Sequence, residues 1–154
     1  MIKVFRKWFG IARDKKIAFL DGDRPLPGII DAYKKYLIGT ETHLVRAYTE
    51  SKSNREPHIL RHLGADINKI YLSGYSTGKE IVDKFIAAYI QKALQDGYTH
   101  ITVVSSGYDF IDIFKMAVTL NPGMSKVMFR MIVPRPQGRL DESMELANIE
   151  IVKM

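Results

Sequence analysis

The stretch ITVVSSGYDFIDIF, residues 101–114, decides how this chain folds. It opens as an apolar run rich in β-branched residues, which is typical of a buried strand, and after two serines and a glycine it takes on helical spacing. Asp109 stands at the point where the predicted strand gives way to the predicted helix. This carboxylate has two interpretations: it caps the helix, or it faces a ligand at the end of the strand.

The change from strand to helix recurs along the chain. Predicted strands cover residues 16–21, 43–49, 69–74, 100–105 and 126–133, and the C-terminal stretch IEIVK suggests one more. Predicted helices cover residues 27–39, 57–63, 78–97, 109–120 and 141–147. Strands that alternate with helices favour a parallel sheet that is covered on both faces. The sequence therefore predicts a three-layer α/β/α fold around a central, mainly parallel sheet of five or six strands.

The composition is typical of a single globular domain. The chain has 154 residues, of which 46% are hydrophobic and 26% are charged. It contains no cysteine, which excludes disulfides and cysteine-ligated zinc. No apolar run approaches the roughly 20 residues of a spanning helix, and the N-terminus lacks the apolar core of a signal peptide. We therefore predict a cytoplasmic protein without a transmembrane segment.

Positive charge is concentrated at the N-terminus. Residues 1–16 account for +5 of the net charge of +6. Phe5, Trp8 and Phe9 lie at helical spacing in the same segment. We interpret residues 1–15 as a basic amphipathic segment and residues 16–154 as the domain. The segment either packs on the domain, on a second copy or on a partner protein, or it meets RNA or an anionic membrane surface.

Acidic and hydroxyl side chains follow two of the predicted strands where each strand ends. Asp21 and Asp23 follow the first strand, and Ser105, Ser106 and Asp109 follow the fourth. Because the carboxyl ends of parallel strands meet at one edge of the sheet, these side chains are expected to share a cleft. Clustered carboxylates are stabilised by a cation, and oxygen ligands without histidine or cysteine suit Mg²⁺ or Mn²⁺.

Each of these acids also has a plainer interpretation. Ser106 and Asp109 have the spacing of a capping box, which would only hold the start of a helix. Asp83, in the first turns of the long helix after the third strand, would complement the helix dipole. Asp23 would initiate a turn. The position of all of them at one sheet edge favours a functional site.

Three short motifs occur in a fixed order along this frame. DGD at residues 21–23 ends the first strand, the segment from Lys79 to Asp83 opens the central helix, and SSGYDF at residues 105–110 follows the fourth strand. In order and approximate spacing they resemble the D-G-D-N, K-x-x-D and S-G-D-S-D-F motifs of the PIN/NYN superfamily of metal-dependent nucleases. The resemblance extends over residues 16 to about 133, and it implies a PIN-like form of the predicted fold.

The sequence departs from the family pattern at several positions. Gly107 stands where the last motif carries its first acid, and Tyr108 stands where it carries a serine. Tyr89 occupies the place of a further acid along the central helix. Asp112, one turn after Asp109, is a possible substitute.

The resemblance implies hydrolysis of RNA phosphodiester bonds, with single-stranded RNA as the substrate and Mg²⁺ or Mn²⁺ as the cofactor. The catalytic metal ligands that it implies are Asp21, Asp83 and Asp109, with Asp23 and Asp112 as additional ligands. It also implies a group of residues that hold the phosphate, the backbone or a base: Arg24, Lys79, Ser105, Ser106 and Tyr108.

Two alternatives remain open from the sequence. A PIN-like domain that lacks some acids would bind RNA or a protein without cutting. The stretch FLDGD also resembles the nucleophile motif of haloacid-dehalogenase-type phosphatases, in which Asp21 would be the nucleophile and Asp23 the general acid. In that case Ser105 or Ser106 would bind the phosphate.

Overall fold

The computed structural model describes residues 14–23, 26–48, 58–71, 78–106, 108–121, 123, 126–134 and 148–154. Strands and helices alternate along this part of the chain. The strands are β1 (Lys16–Asp21), β2 (Glu41–Tyr48), β3 (Asp66–Tyr71), β4 (His100–Val104), β5 (Met128–Val133) and β6 (Ile149–Lys153). The helices are α1 (Leu26–Tyr36), α2 (His58–His62), α3 (Gly78–Gln95) and α4 (Asp109–Leu120).

All six strands form one parallel sheet in the order β3-β2-β1-β4-β5-β6. The chain builds outward from β1 to β3, crosses back through α3, and then builds outward on the other side from β4 to β6. The strand order therefore reverses between β1 and β4. In open parallel sheets the crevice at such a reversal, beside the carboxyl ends of the two strands, is the usual ligand-binding place. The predicted three-layer α/β/α fold around a mainly parallel sheet of five or six strands is confirmed, and the sheet has six strands that are all parallel.

Alternating side chains along the strands build two cores, one on each face of the sheet. Ala18 and Leu20 of β1 point to the core under α1 and α2, whereas Ile17 and Phe19 point to the core under α3 and α4. Both sets are buried. Strands of this kind read as continuous apolar runs because neither face meets water. β1 is therefore held in the middle of the molecule, and its last residue is fixed in place.

The largest differences from the sequence-based prediction are in α1 and β3. Helix α1 ends at Tyr36 instead of residue 39, and Gly39 lies beyond it with a φ of 86°. Strand β3 begins at Asp66, three residues before its predicted start at residue 69, and the predicted residues 72–74 lie outside the described residues. It lies at the edge of the sheet, where alternating polar residues are tolerated, so its first half carries no apolar run. The helix predicted at residues 141–147 lies outside the described residues.

No helix in the described ranges is both long and apolar enough to span a membrane. The basic segment predicted at residues 1–15 lies outside the described residues, apart from its last two. Of these, Lys15 is tied to the domain, since its backbone N–H donates to Thr99 Oγ1 at 2.9 Å.

Candidate functional site

Asp21 is the last residue of β1 and lies at the reversal of the strand order. Its side chain is only 1% exposed. Oδ2 accepts a hydrogen bond from Ser105 Oγ at 2.7 Å, and Oδ1 accepts one from the backbone N–H of Asp23 at 3.2 Å. A buried carboxylate is costly unless hydrogen bonds compensate for the lost water. Here the two strand ends supply these bonds from both sides of the crevice.

Ser105 joins the carboxyl end of β4 to that of β1. It directly follows β4, and its backbone N–H donates to Ile132 O of β5 at 3.1 Å, which fixes its position. Its hydroxyl donates to Asp21, and the predicted contact of Ser105 with a substrate phosphate stays a prediction. Ser106 is also buried, with 7% of its surface exposed. Ser105 thus orients the carboxylate.

Gly22 is a positioning residue that the sequence analysis did not single out. Its N–H donates to Val45 O of β2 at 2.8 Å. A Cβ at this position would lie 2.5 Å from Val45 O and 2.8 Å from Arg46 Cβ, which are distances that real Cβ atoms do not show. Only glycine lets the chain pass so close to β2. The sequence feature that could have indicated this role is the glycine between the two acids of the DGD motif.

The other two predicted catalytic acids lie at helix starts that the topology brings to the same edge. Each helix returns antiparallel to the strand before it, so the N-termini of α3 and α4 lie beside the carboxyl ends of the strands. Asp83 is half-buried in the second turn of α3, and its Oδ1 atom is shielded from solvent. Asp109 and Asp112, in the first turn of α4, are exposed.

The capping box predicted from Ser106 and Asp109 is not formed. The N-cap residue of α4 is Tyr108, with φ −107° and ψ 7°, and its side chain makes no capping hydrogen bond. Tyr108 is only 7% exposed and belongs to the core beneath α3 and α4. A ring buried to this extent has little surface to offer a base, which favours its packing role.

The other residues named in the sequence-based prediction of the site either lie outside the described residues or have a packing role. Arg24 and Gly107 lie outside the described residues, and so does the side chain of Lys79 in α3. Tyr89, in the place of a family acid, stacks on Phe19 with ring centroids 5.8 Å apart and planes 13° from parallel. It therefore packs α3 on β1.

The acids at this edge of the sheet do not form a closed metal site among the described residues. In the described residues, no three histidine, cysteine, aspartate or glutamate side chains lie close enough together to hold a metal. Mg²⁺, however, is usually held by one or two carboxylates together with water and substrate phosphates.

Glu41 and Tyr98, two residues with shifted pKa values, lie at the opposite edge of the sheet, where the strands begin. The hydrogen bond that Tyr98 donates to Glu41, the first residue of β2, raises the pKa of Tyr98 to about 12. Burial acts to raise the pKa of Glu41, but hydrogen bonds with His43 and Tyr98 outweigh it, and the pKa is lowered. These three residues line a cavity of about 190 Å³ beside α3.

Comparison with known proteins bears on the fold alone. No family model and no curated protein matches this sequence. A protein of unknown function from Vibrio parahaemolyticus is similar in structure, with a TM-score of 0.54, 15% identity, and coverage of 92% of this chain and 93% of the other. A short-chain dehydrogenase from Oenococcus oeni aligns at a TM-score of 0.35 and 13% identity, over 86% of this chain and 82% of the other.

Proposed function

We propose that this protein is a PIN/NYN-like ribonuclease that hydrolyses phosphodiester bonds of single-stranded RNA with Mg²⁺ or Mn²⁺. One observation carries the proposal. Asp21, with 1% of its surface exposed, lies at the reversal of the strand order and receives a hydrogen bond from Ser105 across the crevice. A carboxylate buried at the ligand-binding edge of a sheet is costly for stability, and such positions are typical of functional sites.

The division of roles follows from where each residue lies. Asp21 would bind the ion from the floor of the crevice, with Asp83 and Asp109 from the two helix starts. Ser105 would hold the carboxylate of Asp21 in one orientation, and Gly22 would let the loop after β1 lie against β2. When bound, the divalent ion supplies charge that activates water and stabilises the phosphoryl group.

The proposal predicts that the metal binds better with RNA than without it. Asp109 is exposed, and Gly107 replaces one family acid, so the protein alone offers few ligands. A phosphate of the substrate would complete the coordination of the ion. RNA in the reducing cytoplasm fits a chain that has no cysteine.

The test is cleavage of a labelled single-stranded RNA in Mg²⁺ or Mn²⁺, with EDTA as the blank. Asp21→Asn should abolish cleavage while the far-UV circular dichroism spectrum is retained. Asp14→Asn is the matched control, because it makes the same chemical change at an exposed site before the start of β1. Cleavage that persists in Asp21→Asn or in EDTA would refute the proposal.

A second candidate is an RNA-binding domain that does not cut. It is favoured by the finding that the described residues contain no group of three metal-binding side chains. Retained RNA binding with no cleavage and no heat of Mg²⁺ or Mn²⁺ binding in calorimetry would establish it. Metal-dependent phosphate release from a small monoester, without RNA cleavage, would instead support the phosphatase alternative, with Asp21 as nucleophile.

A further inference from the structure

Arg46 of β2 lies beside the loop that carries the buried carboxylate. Asp21 pairs with Val45 in the parallel register of β1 and β2, so Arg46 is level with Gly22. A methyl group on Gly22 would come within 2.8 Å of Arg46 Cβ, which shows how closely the arginine stem passes over the glycine backbone. Arg46 therefore lies at the same edge of the sheet as Asp21, but by strand alternation its side chain leaves β2 on the face of Leu44, whereas that of Asp21 leaves β1 on the face of Phe19.

A second cation accompanies Arg46 on the neighbouring strand. Lys69 of β3 is the register partner of Arg46. Both cations lie near the ring of Tyr48, with Arg46 Cζ 5.7 Å and Lys69 Nζ 5.6 Å from its centroid. Tyr48 is 4% exposed, so its position is fixed by packing. Two positive charges close together raise the local affinity for an anion such as phosphate.

The guanidinium of Arg46 has an unmet hydrogen-bonding requirement. Its Nη1 atom is buried, and among the described residues it has no hydrogen-bond partner. A buried N–H donor that has lost its water without gaining an acceptor is unfavourable, so a ligand that supplies an acceptor is favoured. Arg46 as a whole is half-buried, which leaves its side chain within reach of a ligand at the surface. Guanidinium matches phosphate because its planar fork can donate two bonds at once.

We infer that Arg46, with Lys69 beside it, binds a backbone phosphate of the RNA strand next to the phosphate that faces Asp21. The inference rests on the proposed function. The RNA strand would then cross the edge of the sheet from the crevice between β1 and β4 towards β2 and β3. The contact is with phosphate and carries no base specificity.

The test is binding of a fluorescein-labelled, 12-nucleotide single-stranded RNA to the full chain. Binding is measured by fluorescence anisotropy, in EDTA so that no cleavage occurs. Arg46→Gln should raise Kd by about tenfold or more, as expected for a lost bond to a charged group. The slope of log Kd against log salt concentration should fall by about 0.7, the value for one phosphate on a single strand.

Two further variants separate this role from charge and from folding. Lys126→Gln also removes one positive charge, at an exposed turn before β5 on the opposite edge, and should change Kd by no more than about twofold. Arg46→Lys keeps the charge but loses the fork, and should bind more weakly than wild type. Because Nη1 bonds to no described residue, Arg46→Gln should melt close to wild type.

The outcomes distinguish this inference from the proposed nuclease function. RNA binding that depends on Arg46, without cleavage in Mg²⁺ or Mn²⁺, would support the inference and remove the nuclease. Equal Kd values for Arg46→Gln and Lys126→Gln, or no RNA binding by the wild type, would overturn the inference. If Arg46→Gln does not fold, Arg46→Lys decides: wild-type affinity overturns the inference, and weakened affinity with native melting supports it.

Discussion

The hydrogen bond between Ser105 and Asp21 joins the carboxyl ends of β4 and β1, and we expect it to make a measurable contribution to the free energy of unfolding. Ser105 Oγ lies 2.7 Å from Asp21 Oδ2, and both residues are 1% exposed. A bond of this length to a buried carboxylate is of the charge-assisted kind, which contributes about 2 kcal/mol. Ser105→Ala should lower the free energy of unfolding by this amount and, at this chain length, the melting temperature by roughly 6 °C.

A double-mutant cycle isolates the bond from the other effects of each substitution. Ser105→Ala, Asp21→Ala and the double variant are unfolded in urea and followed by far-UV circular dichroism. Ser105→Ala should cost about 2 kcal/mol in the wild-type background and close to zero once Asp21 is removed, which gives a coupling energy of about 2 kcal/mol. Ser106→Ala is the matched control, since it removes a neighbouring buried hydroxyl that does not share this bond.

A coupling energy below about 0.5 kcal/mol, the limit within which independent sites add, would show that Ser105 and Asp21 do not stabilise each other. Ser105→Ala would then cost the same with and without Asp21, and its effect would come from packing alone. A Ser106→Ala variant as unstable as Ser105→Ala would lead to the same conclusion.

Two further predictions concern the loop after β1 and the opposite edge. Gly22→Ala should destabilise the fold by about 1–3 kcal/mol in urea unfolding, because its methyl group would lie 2.5 Å from Val45 O. Gly123→Ala, with no atom within 4 Å of the added methyl group, should be nearly neutral, and equal effects would contradict the steric argument. For Tyr98, the pKa is raised from 10.0 to about 12 by the hydrogen bond to Glu41, so the bond stabilises the fold fully below pH 10 and its contribution is lost as pH rises towards 12. The stability difference between wild type and Tyr98→Phe should shrink over this range, and a difference independent of pH would count against the bond.

Most of the fold could be predicted because the signals for strands and helices are local. β1 and α4 begin and end at the predicted residues. The errors fall where local signals are weak. The first half of β3 was not predicted because it is polar, as an edge strand can be. The end of α1 was predicted too late because it depends on how the chain turns into β2.

The site was predicted in composition but not in its contacts. The sequence placed Asp21 at the carboxyl end of a central strand, and the structure finds it there. It listed Ser105 among the residues that hold the substrate, and only the structure shows that its hydroxyl donates to a carboxylate 84 positions away. It also predicted a capping box from the spacing of Ser106 and Asp109, but the N-cap residue of α4 is Tyr108, which makes no side-chain capping hydrogen bond.

By itself, the sequence determined the alternation of strands and helices, the parallel sheet that this alternation requires, and the acids at the strand ends, since periodicity and composition are properties of neighbouring residues. Only the tertiary structure decided which strands are adjacent, and therefore that Ser105 meets Asp21 and that Arg46 lies against Gly22. These contacts join residues far apart in the chain, and they depend on strand order, register and the close approach of two backbones. None of these is encoded in a local pattern.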